Sequence, residues 1–162
     1  MAGIPVYATA VLPEWIDYNG HLRDAYYALI VSLATDALMD RIGLDADYRA
    51  RTHCTLYTVE MHIHYLHEVR QSDPLSVVMR IAGADHKRIH AAFEILRPGQ
   101  DAPAAAAEVM LLHVRQQGEA ARTAPFPAAV AAALTALQAA SAQLPAAAPA
   151  SRRMELRGHG RP

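Results

Sequence analysis

Between Ala25 and Met39 the only polar side chains are Ser32, Thr35 and Asp36. A helix that apolar is expected to be surrounded by protein, and at about fifteen residues it falls short of the roughly twenty needed to cross a bilayer. Asp24 offers an N-cap and Gly43 a C-terminal stop, so the pattern predicts a central helix over residues 24–42. From Tyr57 to Leu66 the period changes to two. Tyr57, Val59, Met61, Ile63 and Tyr65 share one face, and Thr58, Glu60, His62 and His64 the other, as in a half-buried strand. Further strands are predicted over 6–12, 75–82, 90–96 and 108–115, bounded by Pro13, by Ser72-Asp73-Pro74 and by the turn from Arg97 to Asp101. Residues 44–54 read as a charged, irregular connection. After Pro125-Phe126-Pro127 the alanine-rich run 128–142 predicts a surface helix. One strand, one buried helix and four consecutive strands predict an α+β domain, with an antiparallel sheet curled around the helix.

Composition narrows the class. The chain has 162 residues, 52% of them hydrophobic, and a formal net charge of −1. That length suits one domain, taken as 1–144, with the Pro-, Ala- and Arg-rich residues 145–162 expected to be a disordered tail. A near-neutral chain without a basic stripe gives no reason to expect nucleic acid. One cysteine, Cys54, excludes an intramolecular disulfide. Met1 to Pro5 shows no basic region and no apolar run, so no signal peptide is expected; the reading is cytoplasmic, with no membrane partner.

The chemistry concentrates at Asp17-Tyr18-Asn19-Gly20-His21-Leu22-Arg23-Asp24, directly before the apolar helix. The start of a buried helix carries partial positive charge and unpaired N–H groups, suited to holding an oxyanion. Taken alone, Asp17 is as readily a turn former that bonds its own backbone. Beside a helix start it is also a candidate general base or nucleophile. Gly20 permits a sharp bend, and His21 either anchors the loop or meets a ligand. Glu60, His62 and His64 share a strand face; the reading favours a solvated or interface face, with no metal. Trp15, Tyr18, Tyr26, Tyr27, Tyr57 and Tyr65 gather around the loop, helix start and second strand. They pack the core or, as a group, offer rings to a quaternary ammonium. Arg70, Lys87 and Arg88 are basic positions able to meet phosphates.

The order Asp17, Gly20, His21, Tyr27 resembles the hotdog-fold acyl-CoA thioesterases of the 4-hydroxybenzoyl-CoA thioesterase type. Pro13 to His21, Ala34-Thr35-Asp36-Ala37-Leu38, Tyr57-Thr58-Val59-Glu60, Gly83 to His90 and Glu108 to Val114 are similar to the branch found with carnitine catabolism. Where the family pattern has an Asn-Asn pair, this chain has Arg23-Asp24. The resemblance covers about residues 5–135 and implies a hotdog fold. It also implies a homodimer or homotetramer with interfacial sites, and hydrolysis of a short acyl-CoA, betainyl-CoA or a related quaternary-ammonium ester, with no cofactor. Asp17, Gly20 and His21 are the catalytic residues it implies, and Trp15, Asn19, Asp24, Tyr27 and Glu60 the substrate-binding ones. A hotdog hydratase and a non-catalytic acyl-CoA-binding module are the rival readings.

Overall fold

The computed structural model describes residues 3–100, 102–118 and 120–145. Its elements run β1 (Ile4–Ala10), a 3-10 turn (Pro13–Trp15), α1 (Asp24–Arg41), α2 (Ala46–Thr52), β2 (Cys54–Tyr65), β3 (Pro74–Ala84), β4 (Arg88–Leu96), β5 (Ala105–Gln117), β6 (Ala120–Thr123) and α3 (Ala128–Ala142). The strands form one six-stranded antiparallel sheet ordered β1-β3-β4-β5-β2, with β6 also paired to β5. This is the α+β hotdog arrangement expected from the sequence. The tail predicted over 145–162 lies outside the described residues apart from Pro145. No helix among the described residues is long and apolar enough to cross a membrane.

Alternation builds the core. Ile89, Ala91, Phe93 and Ile95 of β4 and Ala105, Ala107, Val109 and Leu111 of β5 turn inward. There they meet Tyr27, Ile30, Val31, Ala34 and Leu38 of α1. The polar Thr35 is tolerated in that contact because its hydroxyl donates to the Val31 carbonyl at 2.9 Å.

Within this one chain α1 is not enclosed on every side. Ala25, Leu29, Ser32, Asp36 and Asp40 are exposed. They follow one another at helical spacing, so Ser32 and Asp36 fall on the stripe that the sheet cannot cover.

Residues 44–54 are not irregular either. The Asp45 carboxylate accepts the Tyr48 N–H at 2.8 Å and starts α2. Buried Tyr48 then bonds the ring of His113 at 3.0 Å.

In β2 the pairing slips between Thr58 and Glu60, leaving Val59 as a bulge. The extra residue reverses the phase of the strand. Leu56 packs on the core with Met61 and Ile63, while Tyr57 and Val59 stand exposed. Tyr57 therefore does not share a face with Met61, as uninterrupted alternation predicted.

A second register slip, between Ile81 and Gly83, frees the Ile81 N–H from the ladder. Ser141 of α3 takes it at 3.0 Å and donates in turn to the Leu137 carbonyl at 2.8 Å. Ser141→Ala would leave that buried N–H unpaired. We expect a loss of about 1–3 kcal/mol in urea unfolding; a midpoint matching the parent protein would show that the bond contributes nothing.

Candidate active site

After β1, Pro13–Trp15 turns the chain inward and buries Trp15, whose ring stacks on Tyr26 at 5.4 Å and 18°. The chain then folds on itself: Ile16 pairs with Leu22, and the Asp17 N–H donates to the His21 carbonyl at 2.8 Å. The Gly20 N–H closes the turn onto the Asp17 carbonyl at 3.1 Å. Gly20 has φ of 79°, the left-handed region that a side chain would strain, although space around it is open. The glycine is thus required by conformation rather than by crowding.

The same turn prepares the Asp17 carboxylate. Its Oδ1 accepts the N–H groups of Asn19 at 2.8 Å and His21 at 3.2 Å. The His21 bond, with those from Asn19, holds this carboxyl below its ordinary range against a smaller opposing effect of burial. Asp17 is therefore anionic at neutral pH, fit to be a base or nucleophile and unfit to be an acid. Both backbone bonds fall on Oδ1, and the Asn19 side chain bonds the carboxylate as well.

The ring of His21 meets Glu68, Nε2 to Oε2 at 3.0 Å. Its backbone pairs with Arg70, and the next N–H, of Leu22, donates to the Val69 carbonyl at 2.7 Å. Of the two roles expected for His21, this geometry is that of an anchor.

At the start of α1 the cap is Arg23, with no side-chain bond, and not Asp24. Asp24 is the first helical residue, and its carboxylate folds onto the Ala25 N–H at 2.9 Å. The Tyr26 N–H donates to the Arg23 carbonyl at 3.0 Å. The Ala25 and Tyr26 N–H groups of this first turn are therefore engaged by the cap itself. The oxyanion donor expected from the helix start falls to the other amides of that turn, Asp24 among them.

The aromatic residues do not form one box. Trp15 and Tyr26 are one stacked pair; Tyr27 and Tyr65 are a second, edge to face at 5.2 Å and 82°. Tyr18 stands 94% exposed at the loop tip, and Tyr57 is bonded to Gln116 on the outer part of the sheet.

Tyr27 marks the centre of the cluster. Burial pushes its hydroxyl up, Arg97 pulls it back, and Tyr65, Glu68 and Asp17 add to the rise. Arg97 and Glu68 were not singled out by sequence. Arg97 lies in a turn by composition, and Glu68 sits in a short polar stretch without periodicity. The buried Nε of Arg97 has no hydrogen bond among the described residues.

Glu60 is not brought to this cluster within the chain. It follows the bulge, pairs with His62 at 2.9 Å and lies about 16 Å along β2 from Tyr65. Among the described residues no three acids, histidines or cysteines are grouped to hold a metal. Arg70 borders the loop, whereas Lys87 and Arg88 sit at the β3–β4 turn, near the opposite end of the sheet. There Asp85 grips Arg88, Oδ2 to Nη2 at 2.7 Å.

A family profile described as the thioesterase-like superfamily matches residues 11–134. The chain belongs to that superfamily and is a thioester hydrolase. It is 46% identical over 142 residues to the betainyl-CoA thioesterase of Pseudomonas aeruginosa, 88% of each chain. It is 45% identical over 125 residues to an L-carnitine dehydrogenase/betainyl-CoA thioesterase of Agrobacterium fabrum, covering 77% of this chain and 25% of that longer protein. A crystal structure of a Pseudomonas putida KT2440 protein superposes with a TM-score of 0.84 at 44% identity, over 96% of this chain and 98% of its own.

Proposed function

We propose that this protein hydrolyses a short acyl-CoA, betainyl-CoA or a closely related quaternary-ammonium ester, to the free acid and CoA. The observation that carries the reading is the anionic Asp17, held by its own turn next to the first amides of α1. In this reading Asp17 activates a water or attacks the thioester carbon itself, and the Asp24 amide receives the charge that develops on the carbonyl oxygen. Gly20 and His21 keep the turn in place. Trp15 and Tyr27 shape the acyl end, and Asn19 supports the carboxylate. Water is the only other reactant, so no cofactor or metal is invoked. The names of the two betainyl-CoA relatives favour the substrate.

Residues 1–144 would act as one catalytic domain in the cytoplasm, without nucleic acid or membrane. The same reading includes a homodimer or a pair of dimers, supported by β2, a twelve-residue edge strand that shows Val59 and Tyr65 to solvent. Such an edge invites pairing. Glu60 would serve substrate only across that junction.

A colorimetric thiol assay over betainyl-, acetyl-, benzoyl- and palmitoyl-CoA tests the reading. The highest kcat/KM is expected for betainyl-CoA. Faster release from benzoyl- or palmitoyl-CoA would remove the substrate claim, and no release from any would remove the catalytic one.

A further inference from the structure

The segment leaving β2 runs back along the Asp17 loop and forms a second wall beside it. Tyr65 meets Tyr27 edge to face, and its hydroxyl lies 3.5 Å from the Asp24 carbonyl, at the start of α1. Three residues on, the Glu68 carboxylate meets His21, Val69 accepts the Leu22 N–H, and Arg70 pairs with His21. Much of this wall stands in solvent. Tyr65 is 55% exposed, and the Glu68 side chain 69% exposed. His21 engages Oε2 of Glu68, which leaves Oε1 for another partner.

We propose that Glu68 and the ring of Tyr65, backed by buried Tyr27, select the acyl headgroup, favouring one that bears a fixed positive charge. This rests on the thioesterase reading above and names the residues that would set its substrate class. A quaternary ammonium has no N–H to donate. It is recognised through aromatic faces and a carboxylate near enough to act through space. The edge-to-face contact with buried Tyr27 holds the exposed Tyr65 ring at a corner, and Glu68 supplies the charge beside it. Asp17 adds a second negative charge on the same cluster, while Asp24 lies below Tyr65. Arg97 is the opposing cation and acts on the Tyr27 hydroxyl more strongly than Glu68 or Asp17 does, so the selection is placed at the solvent-facing corner, where Tyr65 and Glu68 stand open. A neutral acyl group of the same shape would gain the packing and lose the attraction.

The test measures kcat/KM for betainyl-CoA and for its neutral isostere, 3,3-dimethylbutyryl-CoA, in the parent enzyme, Glu68→Gln and Tyr65→Leu. The parent is expected to favour the charged ester by about tenfold or more, the effect of one or two cation–π contacts. In each variant the charged ester should lose at least about fivefold more than the neutral one, mostly through KM. Two results would overturn the role of Glu68 while leaving the substrate reading intact. One is an unchanged preference in Glu68→Gln. The other is an equal loss on both esters, which would make Glu68 only the anchor of His21. A parent enzyme that hydrolyses both esters equally would overturn the substrate class together with its selector.

Discussion

Asp17→Asn is expected to lower turnover at least about a hundredfold, the lower range for loss of a general base, with the fold unchanged. Asparagine keeps the size of the side chain and an oxygen to accept the Asn19 and His21 amides. It therefore preserves the turn and removes only the negative charge. Circular dichroism and thermal unfolding should match the parent protein while thiol release falls. The pH profile carries a second mark of the same group. The working form is the ionised carboxylate, and the loop amides hold its pKa below the ordinary value. The acid limb of kcat/KM should then fall below about 3.9, the unperturbed aspartate value, on the pH axis. Near-parent rates in Asp17→Asn would reduce Asp17 to a turn former.

Phe93→Ala is expected to cost about 3–5 kcal/mol of stability. Phe93 lies at the middle of β4, the third strand of the path β1-β3-β4-β5-β2, and is 1% exposed inside the cluster formed with α1. Close-packed neighbours relax only partly around a missing ring, so a cavity adds to the lost burial. A fall in Tm on the order of 10 °C follows for a domain of this size. A fall under about 2 °C would mean that the sheet closes over the gap, and that the packing beneath α1 is far looser than the burial indicates.

What could be read from the residues depended on whether the information was local. The apolar run of α1 and the alanine run of α3 carry their own period, and both helices end within a residue of their predicted bounds. The Asp17 turn was equally legible, because Asp, Asn and Gly each specify a local conformation. Three features were not. The bulge at Val59 leaves the alternation of residue types unbroken and shows only in the pairing with β5. The helix α2 is seven residues long, and its charged run masks a cap that only Tyr48 and Asp45 reveal. Glu68 and Arg97 reach Tyr27 from two separate connections, so no spacing in the chain announces them. The tyrosines were legible as a group and misleading as one, since neighbouring positions on a helix start point to different partners.

The site is assembled from the two stretches of chain that leave the edge strands. The Asp17 turn follows β1, and the Glu68 wall follows β2, while β3, β4 and β5, consecutive in the chain, fill the middle of the sheet. The two stretches meet through Leu22 and Val69, through His21 with Glu68 and Arg70, and through the start of α1. They also join through Val11 with Ser72 and Asp73, and Leu66 and His67 tie the second to Ala104 at the entry to β5. The centre of the sheet can therefore be sound while the site is not. Anything that loosens either margin acts on catalysis first, and anything that clasps a margin, a second copy of the chain included, tightens the site from outside.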